Sequence, residues 1–221
     1  MNIKENLLKI KELIPPTVKL IAVSKTNPVE NIREAYNAGQ RVFGENRVQE
    51  IVDKQLKLPA DIEWHFIGHL QTNKVKYIAP FVAMIHSIDS LKLLEEVNKE
   101  AIKNKRIIDC LLELYIASEE SKFGLDIFEA YALLNSPEYK KMENIRICGL
   151  MGMATFTGDM KMIRREFKTL RSYFNKIADE YFAGSSSFNE LSMGMSGDYK
   201  IAIEEGSSMV RIGTAIFGER K

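Results

Sequence analysis

The chain has 221 residues, 45% of them hydrophobic, enough for a sizeable core and most simply a single domain over 1–221. With 31 basic and 30 acidic side chains the net charge is +1, which gives no support to a nucleic acid or a membrane surface as partner. The N-terminal "MNIKENLLKIKELIPP" lacks the apolar run of a leader and no stretch is long enough to cross a bilayer, so the expected location is the cytoplasm.

In chain order, an amphipathic helix comes first, with Ile3, Leu7, Leu8, Ile10 and Ile14 near helical spacing until Pro15-Pro16 stops it. Short apolar runs then alternate with polar helical stretches. The predicted strands are 18–26, 41–45, 63–69, 83–89, 107–117, 145–155, 188–196 and 209–218. Strands alternating with helices imply a parallel sheet, and about eight such units suggest an α/β fold of the (β/α)8 (TIM) barrel type with an extra N-terminal helix. A doubly wound open sheet is the alternative, although no GxGxxG follows the first strand.

The first strand, "LIAVSKT", places Ile21, Val23 and Lys25 on one face. If that face points into a barrel, Lys25 sits at the carboxyl-end mouth, where desolvation frees its amine to attack an aldehyde. The plainer alternative is a lysine that reaches water. At the other end of the chain, "LSMGMSGDY" and "VRIGTAIFG" close strands seven and eight with glycines and hydroxyls, and a short helix is expected from Gly197-Asp198. Loops after these strands form the usual phosphate site of such barrels, with Ser192, Ser196, Gly213 and Thr214 as candidate donors. A lysine beside a phosphate cradle suggests an aldehyde phosphate, and pyridoxal 5′-phosphate (PLP) is the common one.

Other residues are discounted. His65 and His69 would lie about 13 Å apart along a strand, too far for one metal ion, and no metal site is expected. Met151, Met153, Met193 and Met195 are expected to fill core gaps. Cys110 and Cys148 lie in apolar stretches and read as buried free thiols in a reducing compartment. Asn46 could line a cofactor mouth or cap the helix that follows it.

The segments "AVSKT", "FGENRVQE", "WHFIGHLQTNK", "SKFG", "GLMGMAT", "SMGMSGDY" and "VRIGTAIFG" resemble, in this order, the pyridoxal phosphate homeostasis proteins. These are barrels related to the N-terminal domain of alanine racemase, and the resemblance covers roughly residues 18 to 218. It implies PLP held as a Schiff base on Lys25 and its phosphate by the 192–196 and 213–214 segments. It also implies Arg211 against the pyridine nitrogen, Asn46 at the mouth, and Lys122 as a second point of contact. An arginine there opposes protonation of the ring and weakens it as an electron sink. The implied role is a PLP carrier or regulator, with PLP-dependent apoenzymes as conceivable recipients, rather than an enzyme with a substrate of its own. A monomer is expected. The alternative is an amino-acid racemase, disfavoured because the residues after strand eight leave no room for the second domain that supplies the opposing base. The sequence departs from the family pattern at His69, where proline is usual, and at Gly152 and Thr155, often threonine and proline.

Overall fold

A computed structural model describes residues 2–117 and 123–219. Eight strands carry the organisation: β1 (Lys19–Val23), β2 (Val42–Glu45), β3 (Glu63–Phe66), β4 (Met84–Ile88), β5 (Ile108–Glu113), β6 (Ile145–Met151), β7 (Glu190–Ser192) and β8 (Met209–Ile212). All pairings between neighbours are parallel, and β8 returns to β1 with Ile21 opposite Arg211, so the sheet closes into a barrel. The open-sheet alternative is thereby excluded. Each strand is short and almost wholly buried, as expected of strands covered on both faces.

The helices are α1 (Ile3–Leu13), α2 (Val29–Asn37), α3 (Val48–Gln55), α4 (Val75–Ile78), α5 (Leu91–Lys103), α6 (Ile127–Asn135), α7 (Met160–Tyr181), α8 (Tyr199–Glu204) and α9 (Thr214–Phe217). The helix after β8 is a single turn. The extra helix α1 packs against both it and α2, and Asn6 donates to the Ile216 carbonyl at 3.1 Å. It thus covers barrel wall that α9 is too short to cover. Ile3, Leu7 and Ile10 form its buried face, whereas Leu8 points outward.

Two apolar regions result. One lies between the sheet and the helices. The other fills the barrel interior with Ile21, Met84, Leu111, Cys148, Met151 and Met209. Met151 fills the interior and Met193 the outer core, as expected, whereas Met153 and Met195 instead line a cavity at the barrel mouth. Both cysteines are buried thiols, and burial pushes Cys148 up to about 11. No helix among the described residues is long and apolar enough to cross a membrane.

Candidate functional site

At the carboxyl ends of the strands lies a cavity of about 640 Å³. Lys25, Asn46, Ser196, Arg211, Gly213 and Thr214 all line it. Six of the seven site residues expected from sequence therefore converge. The seventh, Ser192, is fully buried and does not line the cavity. Its hydroxyl is engaged instead by Arg211 at 2.7 Å and by His86 at 3.0 Å. Those contacts make it a support for Arg211 and replace the phosphate role expected of it. Lys122 lies outside the described residues.

Lys25 does not end a strand as the alternation suggested. β1 stops at Val23, and Lys25 occupies a turn in which the Asn27 N–H donates to the Ser24 carbonyl at 3.0 Å. The turn still directs Lys25 to the cavity beside Val23, above the apolar interior that contains Ile21. Asn46 precedes α3, whose N-cap is Arg47, so the capping alternative does not hold. A Cβ at Gly68 would come within 2.6 Å of the Asn46 Cβ, so the absent side chain at 68 makes room for Asn46.

The β7–α8 and β8–α9 loops form the adjoining wall, since β8 pairs directly with β1. Gly194, at φ +94°, lets the chain pass so close to α8 that a Cβ there would meet Ala202 Cβ at 2.5 Å. Asp198 then accepts from the Met195 N–H at 2.5 Å and holds the loop that presents Ser196. Gly213 is the N-cap of α9 and offers no side-chain cap, leaving first-turn N–H groups for another acceptor. These residues fit an anionic group.

Arg211 is held rigidly from below. Besides the Ser192 hydroxyl, its guanidinium donates to the carbonyls of Ser192 at 2.8 Å and Gly152 at 3.1 Å. Burial lowers it to about 10, opposed by Glu113 and Asp198, so it is cationic at neutral pH. The hydrogen bonds continue inward: His86 Nδ1 meets Ser192 and His86 Nε2 meets His65 Nδ1 at 2.8 Å. Burial pushes His65 down to about 3 and His86 well below its ordinary value, so both rings are neutral. Arg211 can only donate, so the Ser192 oxygen accepts. Ser192 shares a further hydrogen bond with His86 Nδ1, and the tautomer of His86 sets the direction of that bond and of the one to His65 together. His65 is thus buried and paired with a histidine on the adjacent strand. Glu190, the acid on the neighbouring strand β7, pairs with Lys19 at 3.3 Å.

Glu113, at the end of β5, was not singled out from sequence. It is buried and lines the cavity, and burial raises it to about 7 against the pull of Arg211. An acid inside the apolar run "IIDCLLELYIA" was the available signal. The three departures from the family pattern also have places. His69 lies at the rim, bonded to Asp89 at 3.1 Å and against the Phe123 ring. Thr155 uses both its N–H and its hydroxyl on Glu166, at 2.8 and 2.7 Å, bonds a proline could not make. Gly152 supplies the carbonyl for Arg211, and a Cβ there would meet Leu170 at 2.8 Å.

The family profile described as the alanine racemase N-terminal domain matches residues 1–221. A pyridoxal phosphate homeostasis protein of Aquifex aeolicus is 44% identical, covering 92% of this chain and 87% of its own length. The human protein of that name is 38% identical over 91% of this chain and 76% of its own. Among solved structures, PipY of Synechococcus elongatus with PLP bound matches with a TM-score of 0.88 at 36% identity, covering 98% of this chain and 100% of that one. Alanine racemase of Clostridium difficile matches with a TM-score of 0.79 at 16% identity, covering 99% of this chain and 57% of that one, a likeness of fold alone. A closed barrel with this mouth and these relatives has one placement: the chain belongs to the pyridoxal phosphate homeostasis protein family.

Proposed function

We propose that the cavity binds PLP, that Lys25 carries it as a Schiff base, and that the protein holds PLP within the cell rather than turning over a substrate. The observation that carries this reading is the convergence of Lys25, Arg211 and the Ser196, Gly213 and Thr214 loops on one cavity. The PLP-bound PipY structure, on the same fold, supports it. When bound, PLP supplies an aldehyde and a pyridine ring that can act as an electron sink. The chain's own residues then have definite roles. Lys25 would supply the amine that holds the aldehyde, with loss of one water. Ser196, Gly213 and Thr214 hold the phosphate, and Asn46 forms part of the wall. Arg211, a fixed cation, opposes protonation of the ring nitrogen and so keeps carbanion chemistry weak.

Borohydride reduction of the PLP-loaded protein and peptide mapping test the attachment. The pyridoxyl mark is expected on Lys25, and a mark found only on another lysine rejects it. One observation favours a second reading, an amino-acid racemase: Glu113 is a cavity carboxyl raised to about 7, a value suited to moving protons near neutrality. Assay against a panel of amino acids separates the two. A turnover number in the enzymatic range of about 1–10³ s⁻¹ rejects the carrier.

A further inference from the structure

Lys54 on α3 is buried, with its ammonium donating to three acceptors: the Ser24 carbonyl at 2.9 Å, Glu45 Oε1 at 2.7 Å and Glu50 Oε2 at 3.0 Å. Glu50 Oε2 also accepts the Thr26 N–H at 2.8 Å. One ion pair thus grips the carbonyl of the residue before Lys25 and the N–H of the residue after it. Ser24 is fixed further, its hydroxyl donating to Glu45 at 2.6 Å and its N–H to the Gly44 carbonyl at 3.0 Å. The turn so held is not one the sequence favours. Thr26 stands at φ +64°, the left-handed region, where a β-branched residue is strained.

We propose that Lys54 and Glu50, with Glu45 behind them, are positioning residues that hold the strained Ser24–Asn27 turn and so aim the Lys25 amine into the cavity. The inference rests on the reading of Lys25 as the point of attachment. None of the three side chains is among the described residues lining the cavity, so they act through Lys25 and not on a bound ligand. Stability alone is a poor reason for the cluster. Desolvating a lysine and two carboxylates is costly, and well-packed apolar residues commonly replace such ions without loss. Burial indeed pushes Glu45 up against the pull of Lys54. Glu50 is pushed up by burial too, but the Thr26 N–H, Lys54 and Arg47 outweigh this and hold it below its ordinary value. What the ions supply that apolar groups cannot is a donor and an acceptor at the two backbone positions flanking Lys25.

The test uses the full chain with Lys54→Met and, because Glu50 is partly exposed and a gentler place to cut, Glu50→Ala. Three quantities are read: amide hydrogen exchange at Thr26 without ligand, the rate of borohydride-trapped PLP label on Lys25, and affinity for pyridoxine 5′-phosphate, which lacks the aldehyde. Thr26 exchange is expected to accelerate about tenfold in both variants, as loss of a charge-assisted hydrogen bond implies. Labelling of Lys25 should slow by about 10- to 100-fold, the effect of a small misplacement of a reacting group. Pyridoxine 5′-phosphate should bind as in the parent, which a general collapse of the site would not allow. If Lys54→Met does not fold, Glu50→Ala decides. Unchanged Thr26 exchange and unchanged labelling in a folded variant, beside a labelled parent, overturn this inference alone. A parent that takes no label on Lys25 overturns the proposed function, and with it any role of the cluster toward PLP.

Discussion

Thr214 and Ser192 are both hydroxyls near strand ends, and their surroundings divide them. Thr214 is exposed at the cavity wall. Thr214→Val should weaken PLP binding by about 1–3 kcal/mol if the hydroxyl is desolvated against the phosphate, measured by equilibrium titration. Ser192→Ala should act differently. It removes an acceptor from a buried guanidinium and a hydrogen-bond partner from His86, so unfolding in denaturant should show a loss of stability of about 1–3 kcal/mol in ligand-free protein. Position at a strand end cannot tell these hydroxyls apart, because a shift of one or two residues decides whether a side chain meets solvent or the interior. The same limit hid Lys54. At i and i+4, Glu50 and Lys54 look like the solvated pair of an ordinary helix face, and only the packing of α3 on the β1 turn buries them.

At the level of elements, every strand was legible because parallel barrel strands are buried on both sides and read as continuous apolar runs. Their ends were not. The runs 63–69 and 145–155 are ladder only over Glu63–Phe66 and Ile145–Met151, because the apolar pattern continues into the loops that line the mouth. For the same reason His69 lies beyond the end of β3, at the rim expected for it as a departure from the family pattern, paired with Asp89. The loop after β7 carries its own prediction. Gly194→Ala adds a methyl group against α8 at a positive φ, so it should destabilise the fold by about 1–3 kcal/mol in thermal or denaturant unfolding. Because that loop presents Ser196, PLP affinity should fall in the same variant, measured at a temperature where it remains folded.

For the whole molecule, Glu113 sets a pH dependence. Its folded value of about 7 lies above the ordinary glutamate value of about 4.3, so between these the native state holds the extra proton. Stability from this group is full below the lower value and declines as pH rises towards the upper one. Glu113→Gln should remove that slope: relative to the parent, its ligand-free melting temperature should be higher at pH 8 than at pH 5. An equal difference at both pH values would refute the assignment. The hydrogen-bonded file from Arg211 through Ser192 and His86 to His65 behaves in the opposite way. Burial holds His65 down to about 3 and His86 well below its ordinary value, so both rings are neutral near pH 7, and the guanidinium stays charged up to about 10. The floor of the cavity beneath Arg211 is therefore a voltage reference whose potential does not change with pH near neutrality. If PLP occupies this cavity as proposed, a colour change near neutrality is expected to follow groups on the side walls or the chromophore itself rather than the two buried histidines.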